Sequence, residues 1–459
     1  MQKSRKLQSQ GVRGCSCSVL PQTLGNAECA VCLAFQQGKK HTNFFQILEF
    51  TQGRFQIFTS NFSKVVRILS FLPPWHVFYA TTGLSLFMAQ DLPHLLRLML
   101  DDMSKASRLY RPTHHWQGVV NELIETIKDQ GVGSFRSLPA FLQAFVPNYA
   151  FPGYYGEADR YNGMYKALAD VFPTESKLEK SQKTTTHSKF NIRLTDLLSG
   201  RMHALSDYRV FLASYSNHPP YTDKSSESQV GNPLEQFNFD GRRYSRSFLN
   251  YLIGLNYLKS TCLPRDIYTV LEIGGGYGSL GEILLSDQRN DCFYINVDIP
   301  PTSYVATYYL QKVFGDSEVG GYSRFRGCSS IEIDEIKEKF KAVVICPWQL
   351  PHLKGQIDLF VNYHSFAEME PDVVRNYCRL VHGLQPRYIL LRNLREGKQV
   401  VKSPGGFGVK TPILGKDYDR FLPGYKIVGI NTIPFGFKTE DGFHSELRVY
   451  KKSEEYNES

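Results

Sequence analysis

The sequence lacks an internal repeat, and beyond residue 64 it lacks any strong excess of one charge. The absence of a repeat excludes a solenoid or a propeller. The formal net charge of +9 is concentrated in residues 1–64, where eight Lys and Arg face only two Glu, which leaves +3 for the remaining residues. We therefore expect no nucleic-acid partner.

The sequence also lacks histidines at zinc-finger spacing beside its N-terminal cysteines. Four of the nine cysteines crowd residues 15–32 as C-x-C and C-x-x-C, and the other five are scattered. A lone C-x-x-C is a weak zinc signal, so we predict no resident metal. Scattered cysteines without a clear secretory signal fit a reducing compartment, and we expect a cytoplasmic protein.

One long apolar run, residues 68–89, was considered as a membrane span. Pro73 and Pro74 would break a helix in its first third, and the run begins too far from the N-terminus for a cleavable signal peptide. We interpret it as a buried segment and expect no membrane span.

Three regions of the chain differ in pattern. Residues 1–88 show no sustained helical or strand period and are treated as an extension of uncertain order. Residues 89–265 are mainly helical, because apolar side chains recur there at i, i+3, i+4 and i+7. The apolar positions are Leu92, Leu95, Leu96 and Met99, then Val120, Leu123, Ile124 and Ile127, then Phe248, Tyr251, Leu252 and Leu255 after an N-cap at Ser245 or Ser247.

In residues 266–453 short apolar runs alternate with stretches long enough for crossover helices. The predicted strands are 268–273, 292–297, 342–346, 357–363 and 388–391, followed by 425–433 and 445–450. This alternation predicts an α/β fold with a doubly wound parallel sheet. The last two strands predict an antiparallel hairpin at the edge of the sheet.

The glycine-rich segment "TVLEIGGGYGSLG" (269–281) can be read in two registers. As G-x-G-x-x-G from Gly276 it is the dinucleotide fingerprint, and as E-x-G-x-G-x-G from Glu272 it is the pattern of S-adenosylmethionine (SAM) enzymes. A turn that begins at Gly274 keeps "YTVLEI" as one uninterrupted strand, whereas the other register runs paired glycines through it. A carboxylate at Glu272 would repel a pyrophosphate but suits the donors and positive charge of SAM. We predict SAM as the cofactor.

Further cofactor contacts follow from the ends of the other strands. Asp298 ends the second strand, where an acid accepts hydrogen bonds from ribose hydroxyls. Trp348 follows the third strand, where an adenine ring would lie, although a tryptophan in the core is equally consistent. The predicted cofactor-binding residues are Glu272, Gly274, Gly275, Gly276, Gly278, Asp298, Trp348 and Asn362. Gly281 is expected to let the following helix pack closely on the sheet.

Four segments together resemble the sugar O-methyltransferases, a branch of the class I SAM-dependent methyltransferases. They are "GNPLEQFNFDGRRYSRSFLNYLIGL" (231–255), "VLEIGGGYGSLGEIL" (270–284), "VDIPPTSYVATYYL" (297–310) and "DLFVNYHSFAEME" (358–370). The resemblance covers about residues 91–450. It implies a seven-stranded Rossmann-like sheet with a reversed last strand, preceded by helices that help to close the active site. The acceptor it implies is a hydroxyl of a sugar, nucleotide-sugar or glycan.

Methyl transfer to a hydroxyl gains from a base that accepts the hydroxyl proton. His364 follows the fourth strand and is the candidate base, and Glu368, one helical turn onward, is predicted to orient it or share its charge. The alternative is that both residues are structural. The ends of the fourth and fifth strands offer Asn362 and Asn393 but no acidic cluster, which argues against a catalytic metal.

A sugar site requires aromatic faces with a polar rim. Candidate segments are 109–116 ("LYRPTHHW"), 151–161 and 242–244, and among these we select Arg243 and Tyr244 as substrate residues. Two other functions stay open, a non-catalytic SAM-fold binding protein and an NAD-dependent oxidoreductase. A homo-oligomer is also possible.

Overall fold

A computed structural model describes residues 49–51, 54–56, 92–145, 200–402, 408–439 and 442–453. The chain forms two compact units, Met1–Ser85 and Leu86–Ser459. In the first unit, strands β1 (Glu49–Thr51) and β2 (Arg54–Gln56) pair antiparallel. The four N-terminal cysteines, the apolar run 68–89 and the segment 151–161 lie outside the described residues. Within the described ranges, no helix combines the length and the apolarity needed to cross a membrane.

In the described part of the second unit five α-helices precede the sheet, and the first, second and fifth of them correspond to the predicted apolar periods. The five helices are α1 (His94–Lys105), α2 (His114–Gln130), α3 (Pro139–Phe145), α4 (Arg201–Ala213) and α5 (Arg246–Cys262), with a hairpin of β3 (Phe237–Phe239) and β4 (Arg242–Tyr244) before α5. Helix α2 ends where Gly131 adopts a φ of 72°. Helix α5 begins after Ser245, whose hydroxyl oxygen accepts a hydrogen bond from the Phe248 N–H at 3.2 Å, as an N-cap should.

A nine-stranded sheet follows. Its strands are β5 (Thr269–Ile273), β6 (Phe293–Val297), β7 (Val319–Gly320), β9 (Ala342–Ile345), β11 (Leu359–Tyr363), β12 (Tyr388–Leu394), β13 (Tyr425–Asn431), β14 (Phe437–Lys438) and β15 (His444–Lys452); β8 (Ile331–Glu332) and β10 (Leu353–Lys354) form a separate pair. The helices between them are α6 (Ser279–Leu285), α7 (Thr302–Phe314), α8 (Tyr322–Phe325), α9 (Ile333–Lys337), α10 (Pro371–Gly383) and α11 (Tyr418–Phe421).

The strand order is β7-β9-β6-β5-β11-β12-β15-β13, with β14 paired to β15. The first six strands in this order, β7, β9, β6, β5, β11 and β12, are all parallel. Strand β15 runs antiparallel to both β12 and β13. The predicted doubly wound sheet with a terminal antiparallel hairpin is therefore confirmed. The sheet has two strands more than the seven expected, and β7 and β14, each of two residues, account for the difference.

Alternate residues of the central strands face two separate apolar cores. Val270 and Val344 pack on the side of α5, α6 and α7, while their neighbours Leu271 and Val343 pack on the side of α9 and α10. Both faces of the sheet are covered, which is why these strands read as continuous apolar runs. The first core also holds side chains of α1 to α4, so the helical region packs on the sheet rather than standing apart.

Candidate active site

A cavity of about 730 Å³ opens at the carboxyl ends of β5, β6 and β11. Strand β6 lies on one side of β5 and β11 lies on the other, so the direction in which the chain adds strands reverses at β5. Ligands of doubly wound sheets bind at such a switch point. The opposite wall comes from α2, α3 and α5. The volume of the cavity lies in the range of small-molecule sites, roughly 300–1,000 Å³.

The glycine-rich turn forms the floor of this cavity. Strand β5 ends at Ile273, as the register starting at Gly274 requires. Gly274, Gly276 and Gly278 have φ values of 70°, 56° and 96°, which side-chain-bearing residues rarely adopt. A Cβ on Gly274 would lie 2.0 Å from the Ser365 hydroxyl oxygen, so only glycine fits there.

Gly281 lies in the first turns of α6, where the helix crosses the sheet. A Cβ at this position would lie 2.5 Å from the ring of Tyr294 on β6. The expected close packing of this helix on the sheet is therefore confirmed, and Gly281 takes no part in the turn.

Asp298 lies on the cavity wall beside the turn, directly after β6. Its two carboxylate oxygens accept hydrogen bonds from the N–H groups of Gly276 (2.9 Å) and Ile299 (2.7 Å). Burial raises the pKa of this carboxyl to about 7, although both hydrogen bonds lower it. Each oxygen keeps a lone pair for a ligand hydroxyl.

Glu272 is placed differently from the expectation. Its side chain is completely buried and is not part of the cavity lining. The hydroxyls of Tyr251 and Tyr294 donate to its two oxygens at 2.7 and 2.5 Å, and burial raises its pKa to about 7. A Cβ on Gly275 would lie 2.9 Å from the Glu272 carboxylate, so this residue supports the turn from behind. The expectation that the Glu272 carboxylate faces the cofactor and selects it by charge was therefore wrong.

Asn362 and Trp348 also lie outside the cavity lining. The Asn362 amide donates to the Ile273 carbonyl at 2.8 Å and to the Ser365 hydroxyl at 2.6 Å, so it ties the ends of β5 and β11 together. Trp348 packs edge-on against Tyr322, with ring centroids 5.9 Å apart. Neither residue offers its side chain to a ligand, which corrects both predictions.

His364 lies on the cavity wall, directly after β11. Its φ of 63° is unusual for a residue with a side chain, and its buried Nε2 atom has no hydrogen-bond partner in the part of the chain that the structure describes. Burial, followed by the charge of Arg392, lowers its pKa to about 4. This value lies below the near-neutral pKa that we expected for the imidazole.

Glu368 does not orient His364. Its carboxylate accepts hydrogen bonds from Trp116 Nε1 (3.0 Å) and Lys398 Nζ (2.8 Å), and it lies 3.5 Å from His115 Nε2. Although burial favours the neutral acid, the Lys398 charge and the His115 hydrogen bond hold the pKa of Glu368 well below its usual range. This carboxylate joins α2 to the loop after β12 across the cavity.

Arg243 and Tyr244 lie away from the cavity. The Arg243 side chain is exposed and donates from Nε to the Glu227 carbonyl at 3.1 Å. Tyr244 is buried in an aromatic cluster with Tyr208 and Phe248. Their selection as substrate residues was wrong. The candidate segment 109–116 supplies the cavity wall instead, through Arg111, Pro112, Thr113, His114, His115 and Trp116.

Several cavity residues were missed or given another role. Tyr251 and Tyr363 stack with centroids 4.5 Å apart, while Lys398 comes from the loop after β12 and Phe437 from the two-residue strand β14, neither of which has a sequence pattern. Among the described residues, the buried polar atoms on the wall without a hydrogen-bond partner include Asn250 Nδ2 and Thr302 Oγ1, besides His364 Nε2. Buried polar groups are normally bonded, so these atoms indicate where a ligand would bind.

No group of three or more His, Cys, Asp or Glu side chains in the described ranges is arranged to hold a metal ion.

Comparisons with known proteins give resemblances of fold only. No protein-family model matches the chain, and no curated protein matches it in sequence. Similar solved structures include 1,6-didemethyltoxoflavin-N1-methyltransferase of Burkholderia thailandensis with bound S-adenosylhomocysteine, which is 13% identical over 44% of this chain and 78% of that one, with a TM-score of 0.31. Magnesium protoporphyrin IX methyltransferase of Synechocystis PCC 6803 with bound SAM is 12% identical over 45% and 81%, with a TM-score of 0.29. A SAM-dependent methyltransferase of Aquifex aeolicus is 11% identical over 45% and 94%, with a TM-score of 0.28. These TM-scores are too low to carry an inference about chemistry.

Proposed function

We propose that the chain is a SAM-dependent methyltransferase. The observation that carries this proposal is the cavity-facing glycine turn with Asp298 beside it, at the switch point of a sheet whose β15 is reversed. The dinucleotide-binding sheet has the parallel order 3-2-1-4-5-6. Here β15 is inserted antiparallel between β12 and β13, which favours a methyltransferase over an NAD-dependent oxidoreductase.

The residues at the turn fit SAM. The free lone pairs of Asp298 would accept hydrogen bonds from the two ribose hydroxyls. The Thr302 hydroxyl, which has no hydrogen-bond partner among the described residues, would bond to the polar groups of the cofactor. The glycines at 274 and 276 let the backbone approach it without side chains between.

The proposed acceptor is a hydroxyl of a sugar, nucleotide-sugar or glycan. Trp116, Tyr251, Tyr363 and Phe437 give this part of the cavity aromatic walls, and the unpartnered amide nitrogen of Asn250 adds a hydrogen-bond donor. Aromatic faces with a few fixed polar groups suit the apolar faces and hydroxyl edges of a sugar ring. The sequence resemblance supports the same class.

When bound, SAM supplies a sulfonium methyl group, whose carbon forms a bond to the acceptor oxygen while its bond to sulfur breaks and the electron pair stays on sulfur. The chain's part is to align the hydroxyl and exclude water. The neutral imidazole of His364 is proposed to accept the hydroxyl proton. A base with a pKa of about 4 is too weak to remove this proton beforehand. It accepts the proton readily once the oxygen gains its new bond and becomes strongly acidic.

Calorimetry with S-adenosylhomocysteine tests the cofactor site. We expect the purified protein to bind it, Asp298→Ala to bind at least about tenfold more weakly, and the exposed control Asp316→Ala to bind as the wild type does. Absence of binding to the wild type, or undiminished binding to Asp298→Ala, would contradict the proposal.

Transfer of label from SAM to nucleotide-sugars and glycans, followed by mass spectrometry, tests the acceptor class. We expect a labelled carbohydrate with the wild type and with the control His352→Ala, which lies outside the cavity lining, and less label with His364→Ala. Binding of S-adenosylhomocysteine without transfer to any carbohydrate would instead support another acceptor or a non-catalytic protein.

A further inference from the structure

Arg392 on β12 is fully buried without a carboxylate partner among the described residues. Its Nη2 donates to the backbone oxygens of Phe435 (2.8 Å) and Asn250 (3.3 Å), and the guanidinium also interacts with the Tyr363 hydroxyl, whereas no carboxylate of the described residues pairs with it. Other buried arginines differ from it in this respect. The comparable pairs are Arg136 with Glu227, Arg246 with Glu235 and Arg448 with Glu446.

The Arg392 guanidinium lies behind two aromatic rings of the cavity wall, on the side where the acceptor is proposed to bind. Its guanidinium carbon is 5.3 Å from the ring centroid of Tyr363 and 5.6 Å from that of Phe437, and both rings line the cavity. The His364 ring packs on Phe437 at 6.1 Å. The His364 N–H also donates to the Arg392 carbonyl oxygen at 2.6 Å, which fixes the two residues relative to one another.

A buried charge without a partner is destabilising, because its lost hydration is not recovered from an opposite charge. Away from water its field is also less screened and reaches further. The titratable groups of the cavity on this side include the Tyr363 phenol and the His364 imidazole, which packs on the same Phe437 ring that the guanidinium faces.

We propose that Arg392 is a positioning residue whose buried charge keeps the His364 imidazole unprotonated, so that its lone pair is available to the acceptor hydroxyl. The proposal rests on the function proposed above for this site. Two other charged groups act on His364: Lys398 from the loop after β12 also opposes its protonation, and Glu368 favours it. Because Glu368 forms an ion pair with Lys398, these two charges largely offset each other, whereas Arg392 has no carboxylate partner among the described residues.

The lowered pKa of His364 agrees with this arrangement, since burial is its largest cause and the charge of Arg392 is the next. An ordinary histidine is substantially protonated at about pH 6 and would then have no lone pair to offer. With Arg392 in place, His364 stays competent in mildly acidic solution.

The test follows the imidazole signals by NMR in the full chain labelled on its histidines, with His364 assigned by comparison with His364→Gln. We expect no His364 titration in the wild type between about pH 5 and pH 8. In Arg392→Gln, whose amide can still donate to the two carbonyls, we expect the titration midpoint to rise by about one pH unit or more. At a SAM concentration that saturates the enzyme, so that the loss of cofactor affinity below about pH 7 does not contribute, the acidic limb of methyl transfer should move upward by the same amount.

Two further variants separate charge from structure. Arg392→Lys keeps the cation and should leave His364 silent, while Arg448→Met removes a paired buried arginine and should not move His364. Arg392→Met serves as a second neutral variant if the glutamine variant does not fold. A wild-type His364 that titrates near its ordinary value, or equal midpoints in the wild type and the neutral variants, would overturn the proposal. Failure of the proposed function would appear separately, as absence of S-adenosylhomocysteine binding to the wild type.

Discussion

Replacement of Gly274 by alanine should disable the proposed cofactor site more than it unfolds the protein. The added Cβ would lie 2.0 Å from Ser365 Oγ and 2.3 Å from Ser365 Cβ. Rotation of the serine cannot relieve the second contact. The hydroxyl itself is held by Asn362 at 2.6 Å, so the turn rather than Ser365 must move.

The size of the effect follows from that geometry. Restoring an ordinary contact of 3.4 Å from 2.0 Å requires a displacement of about 1.4 Å. The positive φ adds a strain of about 1–2 kcal/mol, and overpacking typically costs a further 1–3 kcal/mol. A shift of this size moves the backbone away from a ligand by more than a hydrogen bond tolerates, so we expect affinity for S-adenosylhomocysteine to fall at least about tenfold.

Gly327→Ala is the matched control, because Gly327 has a φ of 77° but nothing within 4 Å of an added Cβ. It isolates the backbone strain from the clash. Urea unfolding should show a larger loss of stability for Gly274→Ala, and calorimetry should show weaker binding for Gly274→Ala alone. If the two variants unfold alike and both bind S-adenosylhomocysteine as the wild type does, the assigned contact between the turn and Ser365 is wrong.

Three further predictions concern the carboxyl groups of Asp298, Glu272 and Glu368. Because ribose hydroxyls donate to an ionised carboxylate and the pKa of Asp298 is about 7, affinity for S-adenosylhomocysteine should fall about tenfold per pH unit below that value, and calorimetry should show this dependence lost in Asp298→Asn. The folded-state pKa of Glu272 is raised from 4.5 to about 7, so its contribution to stability is present below pH 4.5 and is lost as the pH rises through 7. Relative to Glu272→Gln, the wild type should therefore lose up to about 3 kcal/mol over that interval in urea unfolding, and a constant difference would contradict the assignment. Glu368→Ala leaves Lys398 without its partner and should lower the free energy of unfolding by about 2 kcal/mol, whereas the exposed control Glu338→Ala should change it by less than about 0.5 kcal/mol.

The elements could be predicted from sequence wherever the cause is local. Ser245 caps α5 because a serine before an apolar period satisfies free N–H groups. Strand β5 ends at Ile273 because glycines follow it, and Gly281 packs against Tyr294 because a helix after such a turn must cross the sheet closely. Asp298 reaches the cavity because parallel strands all end at one edge of the sheet.

Side-chain environments could not be predicted in the same way, since they depend on residues distant in sequence. Glu272 and Asp298 both lie at strand ends, yet only Asp298 lines the cavity. Glu272 is enclosed because α5 brings Tyr251 over it and β6 brings Tyr294 beside it. Glu368 is paired because α2 and the loop after β12 meet at its carboxylate.

The sequence by itself thus determined the α/β class, the doubly wound parallel sheet, the terminal antiparallel hairpin and the position of the glycine turn, because periodicity and glycine conformation act within a few residues. Only the tertiary structure decided which carboxyls face the cavity, that residues 111–116 rather than Arg243 and Tyr244 form its wall, and that Arg392 is buried without a carboxylate partner among the described residues. Burial and pairing shift charge and pKa through neighbours brought together by folding, and such neighbours leave no pattern along the chain.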